Sequence, residues 1–155
     1  MAEKAPPFVI AIDTREQLPY KFAGFESCRR KLGAGDYGLV LPDDSLAPVA
    51  FERKSHADLW SSMSSGRARF ERCVKRLAEL DYAVILVECT LAEAVIAPSQ
   101  VQRVQATSVV GGLISWGVQY GVPTIYVGNR EAGERFVLRG LAAWYKHKSG
   151  LWRKR

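Results

Sequence analysis

Val49-Ala50-Phe51-Glu52-Arg53-Lys54-Ser55-His56-Ala57-Asp58-Leu59 is an apolar run that ends in an acid, a guanidinium and an amine, with a second acid about one helical turn further on. Read as a strand over 49–54, it sends alternate side chains to opposite faces, so Glu52 and Lys54 project together and Arg53 projects the other way. A carboxylate and an ammonium on one face suit a divalent cation held through Glu52, with Lys54 offering positive charge to a phosphate oxygen or a water. The same triplet also reads as a charged strand end at the surface. The rest of the chain bears on that choice.

Upstream, Phe8-Val9-Ile10-Ala11-Ile12 has the continuous apolar, β-branched character of a strand buried on both faces, and it too ends in charge, at Asp13-Thr14-Arg15-Glu16. Arg29-Arg30-Lys31 reads as a polar edge strand, and Asp36 to Leu41 as the next strand, entered through Gly33-Ala34-Gly35. Pro42-Asp43-Asp44-Ser45 supplies turn chemistry before Val49, so 36–41 and 49–54 are expected to pair as an antiparallel hairpin that brings Asp36 near Glu52.

Downstream, Ser55 is a candidate N-cap for a short helix to about Ser61, with Asp58 in its first turn, and Ser61 to Gly66 reads as a loop. Phe70, Val74, Leu77 and Leu80 recur at helical spacing over 67–80, with Arg67, Arg69, Arg72, Lys75 and Arg76 on the other sides. Tyr82 to Val87 is a second fully buried strand pattern. Leu91 to Ile96 reads as a short helix, 99–119 as a long and mostly apolar one, 122–127 as a last strand and Arg130 to His147 as a final helix. The alternation predicts an α/β fold with a mixed central sheet flanked by helices.

The 155 residues are 48% hydrophobic and 25% charged, as expected of one domain with a substantial core; 8–148 are assigned to it, 1–7 to a disordered Pro-rich arm and 149–155 to a basic tail. No apolar stretch is long enough to span a bilayer and the N-terminus lacks a signal core, so an intracellular, soluble protein with no membrane partner is expected. Cys28, Cys73 and Cys89 have neither disulfide nor zinc spacing, and phosphate-binding glycine loops are absent. Neither histidine, His56 or His147, has a matched nucleophile. A formal net charge of +6 is compatible with a polyanionic partner.

Two carboxylates about 4 Å apart repel by roughly 4 kcal/mol at an effective dielectric near 20, so convergence of Asp13, Asp36 and Glu52 calls for a cation between them. Oxygen donors without Cys or paired His favour Mg²⁺ or Mn²⁺ over zinc. Such a metal, with Lys54 beside it, suits phosphodiester hydrolysis. Arg67, Arg72 and Arg76, with the tail, are the candidate phosphate contacts.

Gly35-Asp36-Tyr37 followed by Glu52-Arg53-Lys54-x-x-x-Asp58 resembles the signature of the XPF (Hef-like) family of structure-specific endonucleases. Asp13-x-Arg15-Glu16 resembles that family's D-x-R-E segment, and Gly66-Arg67 its G-R. The resemblance runs from about Phe8 to the last helix. It implies an XPF-type nuclease domain with a restriction-endonuclease-like core, a role in DNA repair or recombination, and Mg²⁺- or Mn²⁺-dependent cleavage of DNA near branches or single-strand/duplex junctions.

It also implies roles for the matching residues. Asp36 and Glu52 would be the main metal ligands, with Asp13 and Glu16 completing the acidic site, and Lys54 the catalytic lysine. Arg15, Arg53 and Asp58 would support the site or contact DNA, with Arg53, facing away, bracing Asp58 or the neighbouring helix. Members of that family usually carry a tandem helix-hairpin-helix domain, which these residues do not contain. The resemblance further suggests a homodimer through the later helices. A non-catalytic DNA-binding or assembly module that retains the nuclease fold is the alternative.

Overall fold

The computed structural model describes residues 8–99 and 106–150. Among these, β1 (Val9–Ile12), β2 (Ser27–Arg29), β3 (Tyr37–Val40), β4 (Val49–Lys54), β5 (Tyr82–Val87) and β6 (Thr124–Tyr126) form one mixed sheet in the order β2-β1-β3-β4-β5-β6. The pairs β1/β3 and β3/β4 are antiparallel, whereas β1/β2, β4/β5 and β5/β6 are parallel. β4, the strand that carries Glu52-Arg53-Lys54, is antiparallel to β3 on one side and parallel to β5 on the other.

The helices are α1 (His56–Met63), α2 (Arg67–Leu77), α3 (Leu91–Ala94), α4 (Ala106–Tyr120) and α5 (Arg130–Lys148). Alternation along the central strands divides the core between the two faces of the sheet. Ala50, Ile85 and Val87 pack beneath Leu59 and Trp60 of α1, Phe70 and Val74 of α2, and Leu113 and Trp116 of α4. Val49, Phe51, Val84 and Leu86 pack on the other face beneath Val137, Leu141 and Trp144 of α5, with Tyr20, Phe22 and Tyr37 beside them. Burying a large apolar side chain contributes about 1.5–3 kcal/mol, so the acids at the strand ends stand on a well-anchored scaffold.

Caps set the helix starts: Ser55 Oγ accepts from the Asp58 N–H at 3.1 Å, and Asn129 Oδ1 from the Ala132 N–H at 2.8 Å. The expected loop over 61–66 is shorter than the serines suggest. Trp60 and Met63 are both buried, and α1 runs two residues further, to Met63, leaving Ser64, Ser65 and Gly66 as the turn into α2. The start of the helix expected over 99–119 falls partly at 100–105, outside the described residues, as do the arm at 1–7 and the tail beyond Gly150. Among the described residues, no helix is long and apolar enough to cross a membrane.

Candidate active site

Gly35 makes the first close approach. Its φ is +80°, and a Cβ there would lie 2.7 Å from Ala50 Cβ and 3.3 Å from the Phe51 carbonyl, so only glycine lets the chain enter β3 so near β4. Asp36 follows and grips three segments at once. Its N–H donates to the Phe51 carbonyl at 2.9 Å and its carbonyl accepts from the Asp13 N–H at 2.8 Å. Its Oδ2 accepts from the Arg53 N–H at 2.7 Å. The β3/β4 ladder pairs Tyr37 with Phe51, and beyond that point the Asp36 carboxylate takes the place of a strand backbone beside Arg53.

Glu52 and Lys54 project to the face covered by α2, as strand alternation requires. Glu52 Oε1 lies 3.6 Å from Lys54 Nζ and its Oε2 lies 3.8 Å from Cys73 Sγ. The ammonium also sits 4.5 Å from the centre of the Phe70 ring. Asp13, Arg15, Asp36, Glu52 and Lys54 line one side of a cleft of about 460 Å³, and Ser62, Ser65, Arg69, Cys73 and Arg76 line the other.

The electrostatics separate the acids into two kinds. Burial, and then the nearby Glu52 charge, push the Asp36 carboxyl up to about 8. Burial likewise raises Glu52, against the pull of Lys54, and it lifts the Cys73 thiol to about 11. Burial would raise Asp13 too, but hydrogen bonds from Arg15 and Leu32 outweigh it and hold that carboxyl below its usual range. Asp13 Oδ1 accepts from Arg15 N and Nε at 3.0 and 2.8 Å, and Oδ2 from the Leu32 N–H at 2.7 Å.

The expected gathering of three acids is therefore a pair plus an ion-paired neighbour: Asp13 shares the cleft, but the Arg15 guanidinium balances its charge and the Leu32 N–H satisfies its other oxygen. Among the described residues, no three His, Cys, Asp or Glu side chains come together as a metal cage. A pair still fits Mg²⁺ or Mn²⁺, because Mg²⁺ keeps several waters and is commonly held by one or two carboxylates together with substrate phosphates. Asp36, half-buried, and Glu52, buried, are hard oxygen donors, and burial penalises the charge of both, a cost that a cation would relieve.

Glu16 lies with Arg53 rather than with Asp36 and Glu52. The Arg53 guanidinium donates from Nε and Nη2 to the two Glu16 oxygens, each at 3.0 Å, while Nη1 lies 3.4 Å from Glu88. Burial opposes ionisation of Glu16, but the Arg53 hydrogen bonds prevail and hold its carboxyl low. Arg53 braces these two acids in place of the expected Asp58 or helix. Asp58 is exposed in the first turn of α1, away from the cleft.

The arginines of α2 also sort differently from expectation. Arg76 lines the cleft, and so does Arg69, one heptad earlier on the same side. Arg72 is exposed but does not line the cleft, and Arg67 turns towards α4, 5.1 Å from the Trp116 ring. Arg69 was legible from the 69, 73, 76 spacing once the buried stripe of α2 was known. Glu88 and Tyr20, which complete the Arg53 brace, lie 35 and 33 positions from it, and their only signal was an acid closing the buried strand β5.

A mixed six-stranded sheet flanked by helices, with buried acids at the ends of its central strands, defines the restriction-endonuclease-like fold of an XPF-type nuclease domain. The ERCC4 domain model matches residues 12–139, and the chain belongs to this family. Its structure is similar to that of XPF from Aeropyrum pernix, with a TM-score of 0.65 and 23% identity over 92% of this chain and 67% of that one. It is also similar to XPF from Aeropyrum pernix in a complex with DNA, with a TM-score of 0.65 and 24% identity over 89% of this chain and 64% of that one. The chain thus spans about two thirds of the length of the XPF chains it matches. No curated protein matches it.

Proposed function

We propose that this chain is a divalent-metal-dependent DNA endonuclease that hydrolyses phosphodiester bonds near branches or single-strand/duplex junctions. The observation that carries the reading is the Asp36–Glu52 pair beside Lys54, in a cleft whose opposite wall bears Arg69 and Arg76. Membership of the ERCC4 family and likeness to an XPF solved with DNA support a nucleic-acid substrate. The preference for branched DNA rests on the motif resemblance.

Asp36 and Glu52 would hold Mg²⁺ or Mn²⁺. When bound, that cation supplies a Lewis acid for the scissile phosphate and lowers the pKa of a bound water. Lys54 Nζ, 3.6 Å from Glu52 Oε1, stabilises the charge that develops on the phosphate oxygens. Arg69 and Arg76 hold neighbouring phosphates from the opposite wall. Asp13 steadies Arg15 at the rim, Glu16 holds Arg53, and the Arg53 N–H orients Asp36. Ile114 and Val118, 64% and 86% exposed at i, i+4 spacing on α4, support association with a second copy.

Incubation with labelled flap, fork and linear duplex DNA in Mg²⁺ or Mn²⁺ tests the reading. Cleavage favouring the branched substrates is expected, with Asp36→Ala or Lys54→Ala reducing the rate by about a hundredfold or more. Binding without metal-dependent cutting would instead mark a DNA-binding module, and cutting unchanged in both variants would sink the assigned residues.

A further inference from the structure

On the side of β4 away from the cleft, two cations and two acids interlock. Arg53 holds Glu16 through two hydrogen bonds and reaches Glu88. Glu88 also accepts from Tyr20 Oη at 2.7 Å and lies 3.6 Å from Arg130, in the first turn of α5. Arg130 in turn donates to the Leu18 and Pro19 carbonyls and sits 4.8 Å from the Tyr20 ring. Tyr20 stacks on Tyr37 at 4.9 Å, and a side chain at Gly133 would run into its hydroxyl.

Buried ion pairs of this kind are weak devices for stability, since apolar residues of similar volume often serve as well. Their position explains more. Glu88 grips both halves of the end of β4: its N–H donates to the Lys54 carbonyl at 2.9 Å, and its carboxylate meets the Arg53 guanidinium. Arg53 is the residue whose N–H holds Asp36 Oδ2. Tilting that N–H away from Asp36 would drag the guanidinium out of Glu16 and Glu88 together.

We infer that Glu88, held by Tyr20 and Arg130, is a positioning residue that fixes Arg53 and, through the Arg53 N–H, presents Asp36 to the cation. This inference rests on the reading of Asp36 and Glu52 as the cation's ligands. Residues that orient metal ligands from behind typically govern metal affinity or activity by about 10- to 100-fold. The start of α5, far from Asp36 in sequence, is thereby tied to the cleft.

The test is Mn²⁺ binding to the DNA-free protein, followed by electron paramagnetic resonance, alongside kcat and KM on the best-cut DNA. Glu88→Ala is expected to weaken Mn²⁺ binding and kcat about tenfold or more while KM stays within about twofold. Glu88→Gln, which keeps an acceptor for Tyr20 and Arg53, should recover much of the loss. Tyr20→Phe removes one hydroxyl and leaves the stack on Tyr37, and it carries the same comparison if Glu88→Ala does not fold. Wild-type Mn²⁺ affinity and kcat in folded Glu88→Ala or Tyr20→Phe, with Mn²⁺ binding lost in Asp36→Ala, would overturn the inference alone. A wild-type protein that binds no Mn²⁺ would overturn the metal reading and this inference with it.

Discussion

Burial and the neighbouring Glu52 raise the Asp36 carboxyl from 3.8 to about 8, so near neutrality the metal-free folded chain keeps a proton that the unfolded chain has released. The sign follows from linkage: this contribution to stability is complete below the unfolded value and is lost as pH rises through about 8. Asp36→Asn keeps an acceptor for the Arg53 N–H and removes the charge. In chelator at pH 8 or above it should melt higher than wild type, by on the order of 1 kcal/mol, while losing DNA cleavage. A melt no higher than wild type would mean that the carboxylate pair is not strained. Asp36 and Glu52 were legible as partners because a hairpin joins them, and strand alternation separated Lys54 from Arg53. The Arg53–Glu16–Glu88 brace was not, since it closes over 37 and 35 positions through side-chain geometry that periodicity does not encode.

At the scale of elements, α2 decides how the cleft meets a polyanion. Its buried stripe of Phe70, Val74 and Leu77 turns Arg69 and Arg76 to the carboxylates, while Arg67 is spent on Trp116. Arg69→Ala and Arg76→Ala should each weaken DNA binding and reduce the slope of log affinity against log salt by about one, with Arg72→Ala having the smaller effect. Fluorescence anisotropy without divalent metal measures this, and an equal loss from Arg72 would reassign the DNA-facing side of the helix. The central strands were readable because both-face burial makes β1 and β5 continuous apolar runs. α1 was read short because its last turn is serine-rich, and only the buried Trp60 and Met63, with the Trp60 Nε1 bond to the Ala94 carbonyl, show why it continues.

For the whole molecule, Glu16 in the brace and Asp36 in the cleft act on stability at opposite ends of the pH scale. Glu16 is held below its ordinary value of 4.5, so its contribution is present above that pH and is lost as pH falls. Thermal melts between pH 3 and 6 should show an acid-side loss that Glu16→Gln flattens, at the cost of a lower melting temperature at pH 6 where Arg53 has lost its bidentate partner. A wild-type slope in that variant would mean that Glu16 does not carry the acid limb. The two-sided character of β4 has a further consequence, of the kind imposed by a reading frame. Phe51 and Arg53 belong to the α5 side, Ala50, Glu52 and Lys54 to the α2 side, where the acid and the amine open on the cleft. Inserting or deleting a single residue between Val49 and Glu52 would exchange the faces, turning the guanidinium into the cleft and driving the acid and the amine under α5. A change of chain length that keeps both faces in place must therefore fall outside this six-residue strand.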